Sequence, residues 1–125
     1  MIVADTSYMA EAILRDAGLF KGETFIAPDL ALYEVVNVIW KHETLIQDLE
    51  DATGYLSIVE ELISSEAIRL IRPDGGLIRD AYDLSVRHKT SFYDMVFVAL
   101  ALRLKLELKT FDKGQTRIFS KEIGR

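Results

Sequence analysis

Four acidic residues of this chain, Asp5, Glu34, Asp94 and Asp112, occupy positions from which carboxylates could act together. Asp5 ends the short β-prone run Ile2-Val3-Ala4, and Asp112 ends a second run near the other end of the chain. Glu34 falls in the early half of one periodic segment and Asp94 in the first turn of another. In a parallel α/β layer, the C-terminal ends of strands and the N-terminal ends of the following helices share one edge, where ligands bind. Four carboxylates on that edge would repel one another strongly unless a cation sat among them. Oxygen-only ligands select a hard divalent ion, Mg2+ or Mn2+, and such ions bind substrate phosphates beside one or two carboxylates. The chemistry indicated is phosphoryl chemistry.

Each acid taken alone also fits an ordinary role. Ser91-x-x-Asp94 has the pattern of a capping box. Yet the positions three, four and seven residues after Asp94 are Phe97, Val98 and Ala101, so its helix face is otherwise apolar, and a carboxylate there is costly unless paired, protonated or bound to a cation. Glu34, Asn37 and Lys41 form a polar stripe that simple solvation explains. Asp5 fits a helix cap and Asp112 a turn. Joint placement is what favours a site.

The elements that must position these residues alternate. Ile2 to Ala4 reads as a strand, followed by a helix up to Gly18. Thr24 to Ala27 reads as a strand, and Leu30 to Lys41 as a helix with Asp29 as its N-cap. Leu49 to Glu66 is an amphipathic helix, Ile68 to Ile71 a strand, and Leu77 to His88 and Ser91 to Lys105 are helices. Leu106 to Phe111 is a strand, and Thr116 to Phe119 is read as one more. Strands separated by helices predict an α/β fold, a three-layer sandwich with a central, mostly parallel sheet covered on both faces.

At 125 residues with no long Pro, Gly or Ser-rich stretch, the chain reads as a single domain over residues 1–125. It contains no cysteine, which excludes thiolate metal sites, disulfides and thiol nucleophiles. The longest apolar run, Met95 to Leu102, is too short to span a bilayer and Met1 to Asp5 has no leader pattern, so the expectation is a cytoplasmic protein with no membrane association. A net charge of −5 argues against whole-surface binding of nucleic acid. That objection weakens if the acidic excess holds divalent cations, which reverse the local charge. No Gly-rich phosphate loop is present, because Gly75-Gly76 lacks both pattern and context.

The residues around the acids carry a family resemblance. Val3-Ala4-Asp5-Thr6-Ser7, Tyr33-Glu34-Val35-Val36-Asn37, Phe92-Tyr93-Asp94 and Leu108-Lys109-Thr110-Phe111-Asp112 resemble, in order, spacing and context, the PIN-domain ribonucleases, and in particular the VapC-like toxins of prokaryotic toxin–antitoxin pairs. The resemblance runs from Met1 to about Ile118. It implies that Asp5, Glu34 and Asp94 are the core metal-binding acids and that Asp112 is a fourth, with catalysis resting on these four. It also implies supporting roles for Thr6, Ser7, Asn37 and Thr110, which would orient carboxylates or water. Met95-Val96-Phe97 departs from the family by being bulkier than its small-and-aromatic run.

The resemblance further implies Mg2+- or Mn2+-dependent hydrolysis of RNA by metal-activated water, with an antitoxin protein as partner. The carboxylates themselves do not distinguish RNA cleavage from a DNA nuclease or phosphatase, and a catalytically silent binding module is the non-enzymatic alternative. His42 and His88 are read as surface or packing histidines. Lys41, Lys109 and Lys113 flank the acidic edge in sequence. Arg87, His88 and Lys89 form a second basic cluster, and Arg117, Lys121 and Arg125 a third, open to RNA or a partner. Apolar residues on the Tyr55 to Ile63 helix exceed what one face must bury, which predicts a homodimer or antitoxin docking there.

Overall fold

The structure, a computed structural model, describes residues 1–125. Four parallel strands, β1 (Ile2–Ala4), β2 (Phe25–Pro28), β3 (Ile68–Ile71) and β4 (Leu108–Lys109), form one sheet in the order β3-β2-β1-β4. Every residue of β1 and β2 is buried, which is why both read as continuous apolar runs and not as alternating ones. Val3 stands opposite Ile26 on one side and Leu108 on the other. The chain therefore leaves β1 toward β2 and β3 and comes back, a hundred residues later, to β1's other edge.

Six helices cover the sheet: α1 (Thr6–Leu14), α2 (Leu30–Lys41), α3 (Thr53–Ser64), α4 (Gly75–His88), α5 (Phe92–Leu104) and α6 (Lys113–Ile123). α5 packs on β1 and β2 and is itself covered by α4 and α6. Its residues from Met95 to Ala101 are all buried, as a helix enclosed on every side requires. On the other side α1, α2 and α3 converge with β3, where Met9, Ile13, Val35, Val59 and Ile68 share one apolar contact. This is the expected α/β three-layer sandwich. No helix is long and apolar enough to cross a membrane.

Several elements differ from the sequence reading. Thr116 to Phe119 is not a strand but part of α6. Asp112 caps that helix by accepting from the Gly114 and Gln115 N–H groups, and Gln115 and Ile118 fall on its buried face at helical spacing. β4 is only two residues long, because the Leu106 N–H is spent on the Ala101 carbonyl in closing the end of α5, and Thr110 already turns toward the capped end of α6. The helix expected from Leu49 begins at Thr53, after a π-helical turn at His42–Ile46 that Gln47 ends in a left-handed conformation. α4 starts two residues earlier than expected, at Gly75, because Asp74 accepts from the Leu77 N–H and caps it. Asp29 makes no capping hydrogen bond to α2.

Candidate active site

β1 lies between β2 and β4, so chain direction across the sheet switches between β1 and β4, the place where open α/β sheets bind ligands. Asp5 follows the end of β1 and Asp112 lies just beyond β4. A cleft of about 290 Å³ opens there, lined by Asp5, Thr6, Ser7, Glu34, Asp94, Asp112 and Gln115 with Val38 and Phe97 as its apolar wall. All four acids expected from the sequence meet in this one cleft. No lysine, arginine or histidine lines it.

Asp5 is buried and heavily held. Its Oδ1 accepts from the Ser7 hydroxyl at 2.7 Å and from the Tyr8 N–H at 3.0 Å, and its Oδ2 accepts from the Thr110 hydroxyl at 2.6 Å. It is thus both the N-cap of α1 and a wall of the cleft. Both hydroxyls work in two directions. Ser7 Oγ also accepts from the Phe111 N–H, and Thr110 Oγ1 from the Asp112 N–H. The turn after β4 is thereby bound to the start of α1, and Asp112 is fixed relative to Asp5.

Glu34 reaches the cleft from α2, and its Oε1 accepts from the Thr6 hydroxyl at 2.7 Å. Thr6, Ser7 and Thr110 each donate a hydrogen bond to one of these carboxylates. Asn37 does not: it is exposed on α2, outside the lining of the cleft. Asp112 uses Oδ1 for the cap of α6, which leaves Oδ2 without a protein donor.

Asp94 shows how the capping pattern and the site share a segment. Ser91 does cap α5, accepting from the Tyr93 N–H, but Asp94 makes no return bond to the Ser91 N–H, and its carboxylate faces the cleft. Burial holds the Asp94 carboxyl above the usual aspartate range. The charges of Asp112 and Asp5 push it the same way, and the Gln115 amide opposes the rise. A carboxyl raised by burial and, beyond that, by like charges is one that a cation in the cleft would relieve.

Gln115 was missed in the sequence because the strand reading of the tail hid its helical position, one turn after Asp112. Its side chain is buried in the cleft wall, and its Oε1 has no hydrogen-bond partner. The histidines lie elsewhere, His42 on Asp48 and His88 on Glu122, and Lys109 is engaged with Glu107.

The donor set fits a hard divalent cation. It is entirely oxygen, and it includes the free Oδ2 of Asp112, the unpartnered amide oxygen of Gln115 and a carboxyl raised by its neighbours. No three acidic side chains converge tightly enough to form a complete ligand set by themselves.

An acid-lined cleft at the switch point of a short parallel sheet, enclosed by helices, defines a class of protein. Residues 2–119 match the PIN domain family, and the chain belongs to that family. A curated relative is the protein named Ribonuclease VapC3 from Pyrobaculum aerophilum, 33% identical over 85 residues. The matched stretch covers 68% of this chain and 63% of that protein, so the chain spans less than two thirds of its relative's length.

Proposed function

We propose that the chain is a metal-dependent endoribonuclease of the toxin type, hydrolysing RNA phosphodiester bonds in the acidic cleft. The observation that carries this reading is the meeting of Asp5, Glu34, Asp94 and Asp112, from four separate segments, in one cleft with no basic side chain in its lining. The ribonuclease and toxin components draw on the name of the VapC3 relative and on the family. A divalent cation, Mg2+ or Mn2+, would supply a more acidic water as nucleophile and neutralise charge on the phosphate and leaving oxygen. The residues of the chain hold and aim it. Asp5, clamped by Ser7 and Thr110, would be its best-held ligand, with Glu34, aimed by Thr6, Asp94 and the free oxygen of Asp112 as the other carboxylates of the cleft that would hold it.

The apolar residues Leu56 and Ile58 on α3, with Leu45 and Ile46 just before it, are exposed and support a homodimer or an antitoxin-binding surface. The test of the central reading is cleavage of a defined RNA by the purified protein. Cleavage should require Mg2+ or Mn2+ and leave 5′-phosphate and 3′-hydroxyl ends. Undiminished cleavage in excess chelator, or 2′,3′-cyclic phosphate products, would remove the reading.

A further inference from the structure

Two basic clusters that are 34 residues apart in the sequence converge in the fold. Arg87 and His88, in the last turn of α4, meet Lys121 and Arg125, at the end of α6, around a single carboxylate, Glu122. These five residues line a cleft of about 270 Å³, and none of them is hydrophobic. Glu122 is nearly buried, with a side chain 9% exposed. It accepts from Arg87 Nη1 at 2.7 Å, pairs with His88 Nε2 at 3.0 Å, and meets Arg125 Nη1 at 3.3 Å. Arg87 and Arg125 are themselves 45% and 58% exposed, and each engages Glu122 through Nη1 only, which leaves its other N–H donors outside that contact.

The charges do not balance. Arg87, Lys121 and Arg125 oppose one carboxylate, which leaves a surplus of two positive charges before His88 is counted, in a chain whose net charge is −5. On the other flank of Arg87, Asp80 and Asp83 line a neighbouring cleft that also holds Arg103, itself engaged with Asp74 and Asp80, so the surplus lies on the Lys121 and Arg125 side. Holding α4 to α6 needs only the Arg87 and His88 contacts with Glu122. Lys121 and the exposed donors of both arginines are left without use by that role.

We propose that this cleft is a phosphate-binding anchor for the RNA backbone, separate from the acidic cleft. Arginine forks and a lysine ammonium around a shared hollow match phosphate oxygens in geometry and charge. α6 sets the spacing: Asp112 caps one end at the acidic cleft and Glu122 lies at the other, about 15 Å along the axis at the rise of an α-helix. A strand whose scissile phosphate lay in the acidic cleft would reach the anchor a few nucleotides away. The anchor would offset the repulsion that an acidic protein imposes on a polyanion. The nature of the phosphate carrier rests on the ribonuclease reading above.

The experiment measures binding of a labelled single-stranded RNA in excess chelator by fluorescence anisotropy across a salt series, for the wild type, the double variant Lys121→Gln with Arg125→Gln, and Glu122→Gln. The double variant, altered only at exposed side chains, is expected to bind about tenfold more weakly, with a salt slope shallower by about one to two. Glu122→Gln removes the one carboxylate and is expected to bind RNA more tightly. With Mg2+ added, the double variant should raise KM for RNA more than it lowers kcat. A double variant with wild-type affinity and slope, or a Glu122→Gln protein that stays folded but binds more weakly, overturns the anchor and leaves the cluster as a helix clasp or a site for an acidic partner. RNA cleaved normally without this dependence removes the anchor and keeps the nuclease. RNA bound with this dependence but left intact in Mg2+ removes the nuclease and keeps the anchor.

Discussion

The two ends of α6 present opposite solutions to the same electrostatic problem. At its N-terminal end, Asp112 joins three other carboxylates in a cleft with no cationic side chain. At its C-terminal end, Glu122 is surrounded by Arg87, His88 and Arg125. The consequence appears in the carboxyls themselves. Burial and like charges hold Asp94 above the ordinary aspartate range, whereas burial of Glu122 is outweighed by hydrogen bonds from His88, Arg87 and Arg125, which hold it below the ordinary glutamate range. Compensation within the protein stabilises the fold. Compensation left to be supplied from outside makes a binding site, at a cost to the fold alone.

The sharpest break in this comparison is Asp94→Asn. RNA cleavage should fall to background, and the gain in melting temperature on adding Mg2+ should disappear with it. In chelator the variant should be more stable than the wild type, by about 1 to 3 kcal/mol at a moderate effective dielectric, because one member of a repelling set has been neutralised. Chemical denaturation in chelator and in Mg2+ measures both. A variant that is less stable in chelator yet responds fully to Mg2+ would reduce Asp94 to a helix-terminal residue.

Glu122→Gln should do the reverse, lowering stability by about 1 to 3 kcal/mol with or without Mg2+, since hydrogen bonds from charged donors to a nearly buried carboxylate are lost. Equal denaturation midpoints for the variant and the wild type would show that the cluster contributes nothing to the fold.

Acid titration separates the two ends without changing the sequence. The native state holds a proton on Asp94 more tightly than the unfolded chain does. Its contribution is therefore complete below the ordinary aspartate value and is lost as pH rises through the raised one. Glu122 acts in the opposite sense: its contribution is present above the ordinary glutamate value and is lost as pH falls through the lowered one. Denaturation midpoints of the metal-free protein across the acid range should lose the first trend in Asp94→Asn and the second in Glu122→Gln. Identical pH profiles for all three proteins would contradict both assignments.

The smallest expected effect is at Gln115. Replacing it with Leu removes a buried acceptor that has no partner but also the amide donor that eases Asp94, so the two effects oppose and metal-free stability should change by less than about 1 kcal/mol. Mn2+ affinity, read by calorimetry, should weaken by about tenfold if the amide oxygen supports the cation or its waters. Unchanged Mn2+ affinity would make Gln115 a packing residue.

Much of this architecture was legible in the residues. β1, β2 and the enclosed α5 announce themselves through unbroken apolar runs, and the four acids through their places at the ends of those elements. What failed was local. Thr116 to Phe119 has β-prone residues, but the cap from Asp112 and the buried spacing of Gln115 and Ile118 decide for a helix. That single misreading concealed both Gln115 and the meeting of Arg87 and His88 with Lys121 and Arg125, since an extended tail would not align them. Asn37 entered the expected site through the family resemblance; it lies one helical turn beyond Glu34 on the same stripe, exposed and past the lining of the cleft.

The clasp made by Ser7 and Thr110 also has a bearing on when the cleft is completed during synthesis. The Thr110 hydroxyl that fixes the second oxygen of Asp5 is translated 105 positions after it, and β4 must join the edge of β1 before Asp112 can line the cleft. Domains form from the N-terminal side as they are made, so β1, β2 and β3 can assemble while the cleft is still missing one wall. The cleft therefore stays open on one side until this last edge strand is in place, and chains truncated before Leu108 should show no stabilisation by Mg2+ and, on the reading proposed above, no cleavage of RNA.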